Sequence, residues 1–146
     1  MAAKTNYLEN KIIDWLFRGQ AFTPPATMYL ALFTVAPTEA GGGTEVSGGS
    51  YARVAVASTL ANWAGTQGAG TTVASSGTSG STSNNAVITF PAPTANWGTV
   101  VAVGVFDAAS AGNLLLYGNL SQSKNVNNGD AAPSFPAAAF TYQEDN

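Results

Sequence analysis

Thr27-Met28-Tyr29-Leu30-Ala31-Leu32-Phe33-Thr34 is the stretch on which the fold turns. It is apolar from Met28 to Phe33, carries threonine at both ends, and lies between Pro25 and Pro37. So short a run does not suit a typical helix and does suit a strand. Pro24-Pro25 fixes the approach, and Val35-Ala36-Pro37-Thr38 leads out. The run has no polar alternation. Both faces should therefore be covered, one by a core and one by another element or subunit.

Upstream, residues 5–18 read as the one clear helix. Asn6 can cap it, with Glu9 at the capping-box spacing. Leu8, Ile12, Trp15 and Leu16 recur at helical spacing, and Ile13 and Phe17 widen the face. Asp14 and Arg18 are placed to form an ion pair one turn apart, and Gly19 is the natural stop. Trp15 and Phe17 are too apolar to leave in water. The face either covers an open edge or end of the sheet or docks on a neighbouring subunit. The low basic content argues against a membrane surface.

Downstream, glycine-rich residues 35–49 form a loop, and 51–58 read as a second strand with Arg53 opposite in phase to Val54 and Val56. Arg53 is thus expected on a solvated or interface face. Residues 61–83 are low in complexity, apart from a possible short strand near 71–75, and read as an exposed, partner-contacting arm. Val87–Phe90 is a strand closed by Pro91. Thr99–Phe106 and Leu114–Leu120 form a hairpin around a turn at 107–113, with Asp107 capping it. Asn127–Asp130 is a further turn. Pro133–Thr141 is the closing strand, demoted to an edge or bulge at Pro136. Ala61-Asn62-Trp63-Ala64 echoes Ala95-Asn96-Trp97-Gly98, which suggests a related tryptophan plug at each end of a sandwich. The sum is an all-β fold in one domain spanning 1–146, a β-sandwich or jelly-roll-like domain with a short N-terminal helix.

Composition narrows function. Only 9% of the 146 residues are charged, and the net charge is −3. That means a surface partly buried in an assembly, a robust extracellular-type β surface, or simply one of Ser, Thr and Asn. Lys4, Lys11, Arg18, Arg53 and Lys124 are scattered, without the basic stripe that nucleic acid requires. No run approaches a membrane span, and no signal-peptide pattern opens the chain, which is expected to start at its genuine terminus. With neither cysteine nor histidine, thiolate chemistry and the commonest base and zinc ligand are missing. No carboxylate pair, nucleophile–base pair or phosphate loop stands out. No catalytic residue, cofactor or metal ligand is expected.

Three blocks carry a resemblance: Thr5-Asn6-Tyr7-Leu8-Glu9-Asn10-Lys11-Ile12-Ile13-Asp14 with Arg18-Gly19; Pro25-Ala26-Thr27-Met28-Tyr29-Leu30-Ala31-Leu32-Phe33; and Gly48-Gly49-Ser50-Tyr51-Ala52-Arg53. The chain resembles a family of small tailed-bacteriophage virion proteins, often labelled tail fibre proteins. It is also similar to the jelly-roll cement, or decoration, proteins on some podophage capsids. The likeness is clear over the first 57 residues and looser through 84–120. It implies a non-enzymatic virion protein on the outer capsid surface, with the major capsid protein as partner and self-association about a local symmetry axis. Neither nucleic acid nor membrane is expected as a partner. The alternative is a tail or fibre component touching the host surface, and an enzyme that cuts surface polysaccharide is a distant third. The residues expected at partner contacts are Trp15, Phe17, Arg53, Trp63, Val73 and Trp97. A receptor module should display Trp63 and Trp97 at one tip, whereas a cement protein should bury its aromatic residues or turn them to the capsid.

Overall fold

The computed structural model describes residues 2–144. Its centre is an antiparallel six-stranded sheet formed by β1 (Ala3–Lys4), β2 (Thr27–Val35), β3 (Thr44–Glu45), β4 (Val54–Ala57), β7 (Gly98–Phe106) and β8 (Leu114–Val126). The order is β1-β8-β7-β2-β3, with β4 also on β2. β4 and β3 share one edge of β2, opposite 27–30 and 33–35 respectively, and β7 takes the other edge. Two smaller antiparallel pairs, β5 (Ser81–Ser83) with β10 (Thr141–Gln143) and β6 (Ile88–Thr89) with β9 (Ser134–Phe135), complete the β structure. The fold is an all-β sandwich with one helix, α1 (Asn6–Arg18).

The decisive stretch is buried on both faces. Leu30 and Leu32 stand opposite Val105 and Val103, and with Ile88, Phe90 and Phe140 they fill the main core. Each such side chain, fully buried, stabilises by about 1.5–3 kcal/mol. Ala31 and Phe33, opposite Gly104 and Ala102, point the other way. There the Phe33 and Phe106 rings stack at 6.2 Å, with Ala36 packed beside them. The second face is covered by the chain's own rings and loop. Gly104 makes this possible: a Cβ there would stand 2.8 Å from the Phe33 ring and 2.7 Å from Leu114 Cδ1.

Several local expectations change. The helix cap is Thr5, not Asn6. The Thr5 hydroxyl donates to the Leu114 carbonyl at 2.6 Å, so the sheet edge fixes which residue stands at the helix start. Gly19 stops the helix in the left-handed conformation, and Arg18 pairs with Asp14 at 2.8 Å. The second strand shortens to Val54–Ala57, because Tyr51 and Arg53 serve side-chain contacts. The expected strand near 71–75 is absent among the described residues, and the ordered pairing comes later, at β5. β8 runs six residues beyond Leu120 to Val126. The closing strand splits into β9 and β10 around Pro136, which cannot donate to a ladder.

The arm at 61–83 is folded on itself. Gln67 Nε2 donates to the Ala74 carbonyl at 2.6 Å, Ser79 Oγ to the Thr66 carbonyl at 2.8 Å, and the Gly65 N–H to Thr71 Oγ1 at 2.8 Å. Serine and threonine hydroxyls thus satisfy backbone groups that would otherwise need a ladder or water.

Candidate functional site

Six rings run through the interior in unbroken contact. Trp97 meets Tyr51 edge-on at 5.3 Å, and Tyr51 lies 6.4 Å from Phe90. Phe90 and Phe135 follow at 6.3 Å, Phe135 and Phe140 at 6.3 Å, and Phe140 and Trp63 at 5.9 Å. The two tryptophans of the internal echo therefore stand at opposite ends of one aromatic chain. Trp97 is buried, and its indole N–H donates to the Gly49 carbonyl at 2.9 Å. Trp63 is half-buried, and its indole nitrogen has no hydrogen-bond partner.

Arg53 lies on the sheet face away from the main core and is covered there. Its Nε and Nη2 grip both oxygens of Glu45 at 2.9 and 2.8 Å, and Nη1 donates to the Ala108 and Ala111 carbonyls at 2.8 Å each. The guanidinium lies against Phe106, and little of the side chain reaches solvent. Arg53 pins the β7–β8 turn to β3. Asp107 caps that turn, accepting from the Asn113 N–H at 2.7 Å and from Asn113 Nδ2 at 2.8 Å. Gly112 belongs there because its φ is +72° and a Cβ would meet the Asp107 carboxylate at 2.5 Å.

Two further acids also serve structure. Glu144 pairs with Lys4 at 2.7 Å and accepts from the Tyr142 hydroxyl. Burial works against the charged Glu144, but the Lys4 and Tyr142 hydrogen bonds outweigh it and hold the carboxyl below its usual range. Asp130 accepts from the Asn127 N–H. Among the described residues, no cluster of three or more His, Cys, Asp or Glu could hold a metal, and no helix is long and apolar enough to cross a membrane.

What the sheet leaves open lies at the helix. α1 leaves edge strand β1 and packs mainly on β1 and β8. Leu8 and Ile12 are half-buried, but beyond them the apolar face continues into solvent. Ile13 is 50% exposed, Trp15 56%, Leu16 59% and Phe17 77%. Beside the helix base runs an apolar groove of about 570 Å³, with Leu8, Met28, Leu60, Trp63, Leu116 and Tyr142 in its walls. Of the residues expected at partner contacts, the structure exposes Trp15, Phe17 and Val73, sets Trp63 in the groove wall, and engages Arg53 and Trp97 internally. Only Trp15 and Phe17 lie on one element, the exposed end of α1.

Sequence reading missed Asn84. It is 1% exposed, accepts from the Phe140 N–H at 2.9 Å, and donates to the Ala86 and Pro136 carbonyls at 2.7 and 2.8 Å. Nothing in Ser83-Asn84-Asn85 separates it from the polar arm before it.

A β-sandwich in which Asp14, Glu45, Asp107, Asp130 and Glu144 are engaged in ion pairs and turns, and which leaves an apolar surface open, has the character of an assembly protein. The chain belongs to the family of the podophage GP4 fiber I protein gp80, which it matches over residues 3–143. It is a bacteriophage virion structural protein. No curated protein matches the chain.

Proposed function

We propose that this chain is a non-enzymatic fibre component of the virion, carried on the tail and built from several copies. The family match over residues 3–143 carries the reading, because that family is described by a fiber protein. Glu45, Asp107, Asp130 and Glu144 support the non-enzymatic part: each is committed to an ion pair or a turn. Electron microscopy of intact particles labelled with an antibody to the chain tests the position. Label on the tail or its collar is expected, and label spread over the head would overturn it. Release of sugar from host surface polysaccharide by the purified protein would overturn the non-enzymatic part.

Capsid decoration, with the major capsid protein as partner, is the second reading. One observation favours it: Trp63 and Trp97 are built into the aromatic core and do not crown a tip. The same labelling experiment separates the two.

A further inference from the structure

A second opening lies where β8 parts from β7. Asn119 stands opposite Ala102 and Lys124 opposite Val100, so residues 120–123 all face Val101. Such a bulge lifts its backbone groups off the ladder and bends the strand away. β1 pairs with the outer edge of β8 only at Leu116 and Tyr117, so among the described residues no strand screens the bulge on that side. Beside the bulge runs a cleft of about 350 Å³. Leu32, Val100 and Val103 form its floor, and residues of β9 and β10 form the facing wall, with Phe135 half-buried there. Asn119, Ser121, Gln122, Lys124 and Ser134 stand at the rim, exposed, and among the described residues none of these side chains has a hydrogen-bond or ion-pair partner. The folded arm is the contrast, for there Thr66, Gln67, Thr71 and Ser79 are tied to backbone carbonyls.

We propose that this cleft binds a saccharide. Its chemistry selects that ligand against three others. An extended peptide needs a continuous row of N–H and C=O groups, and the bulge interrupts that row. A phosphorylated or strongly acidic ligand needs more than one cation, and Lys124 is the only one lining the cleft. A wholly apolar ligand would strip water from the polar rim without replacing its hydrogen bonds. A sugar ring has the matching division. Its C–H faces suit the apolar floor and Phe135, and the hydroxyl groups round its edge suit the amide, hydroxyl and ammonium groups of the rim. The volume lies within the range of small-molecule sites. No carboxylate lines the cleft, so it lacks the acid pair of a glycosidase and binds without cleaving.

The site is the same whether the chain stands on the tail or the head. Label on the head therefore leaves it intact, and a failure of sugar binding leaves the labelling result intact. The probe is an array of bacterial surface oligosaccharides, neutral and uronic-acid-containing, screened with the purified chain. The strongest binder is then titrated into isotope-labelled protein and followed by nuclear magnetic resonance. Shifts are expected at residues 119–124, Ser134 and Phe135. Asn119→Ala and Gln122→Ala should each weaken binding about two- to tenfold. Both side chains are exposed and unpaired, so the melting temperature should stay where it is. Trp15→Ser, on the exposed end of α1, should leave binding unchanged. Absence of any shift with every saccharide at millimolar concentration would overturn the proposal. So would shifts centred on the 61–83 arm or the groove beside α1, or full affinity in both amide variants. An alternating valine–threonine peptide that occupies the cleft in place of a sugar would overturn it as well.

Discussion

The guanidinium carbon of Arg53 lies 3.5 Å from the centroid of the Phe106 ring. The same guanidinium makes a two-pronged contact with Glu45 and reaches two carbonyls of the 107–113 turn. One planar cation thus joins β3, the end of β7 and the hairpin turn, and covers the outer face of the sheet where Phe33 and Phe106 stack. Lysine keeps the charge but has neither the fork nor the flat face. Arg53→Lys should cost about 1–3 kcal/mol, and Arg53→Ala about 3–5 kcal/mol because Glu45 is left half-buried and unpaired. Urea denaturation checks this, and equal losses for the two variants would show that the fork and the stacking contribute nothing.

Asn84 holds three backbone groups with one side chain, tying the segment between β5 and β6 to the segment between β9 and β10. Asn84→Ala strands the Phe140 N–H and frees two carbonyls. The expected loss is about 2–4 kcal/mol. In a domain of this size that is roughly a 6–12 °C fall in Tm. A thermal melt within a degree of the native protein would contradict this account.

The two tryptophans of the repeated Ala-Asn-Trp motif should respond differently to phenylalanine. Trp97→Phe removes the hydrogen bond to the Gly49 carbonyl from a buried site and should cost about 1–3 kcal/mol. Trp63→Phe sacrifices no hydrogen bond, because that indole N–H has none, and should cost less than about 1.5 kcal/mol. Chemical denaturation of both variants under one condition tests the order, and the reverse order would refute it.

Stability should fall on the alkaline side. Burial pushes the Tyr51 phenol well above its ordinary value; the Leu32 N–H works the other way, and the Glu45 carboxylate adds to the rise. Tyr142 is raised in the same direction, by burial first and then by Glu144. A group raised in the folded state gives stability that is complete below its unfolded pKa, about 10 for tyrosine, and is lost as pH climbs through the folded value. The melting temperature should therefore drop above about pH 10. Tyr51→Phe should be less stable at neutral pH, having lost its contacts to Leu32 and Glu45, yet show a shallower alkaline decline. An unchanged slope in that variant would remove Tyr51 from the explanation.

Local pattern in the sequence determined a good deal. The unbroken apolar run 28–33 foretold a strand buried on both faces, and β2 is one. Thr99–Phe106, the Asp107-capped turn and the strand from Leu114 were legible because a hairpin joins neighbours in the chain. The helix was legible from its period of apolar residues and from Gly19. The virion family was suggested by the resemblance of three blocks, all within the first 57 residues, and the family match extends over residues 3–143. Tertiary structure decided the rest. Strand phase set Arg53 on the face away from the main core, where it lies over Phe106, but its partners at Ala108 and Ala111 lie 55 and 58 positions away and bury it there. Asn84 looked like one more polar arm residue until Pro136 and Phe140, 52 and 56 positions on, came to it. Periodicity showed that the helix has an apolar face, but only the fold shows that the sheet stops short of Trp15 and Phe17 and that a groove opens beside them. The physical reason is the same in each case. Periodicity and capping act over a few residues and are written in the chain, whereas the burial of a charge, an amide or an indole is set by groups that meet only when distant segments pack.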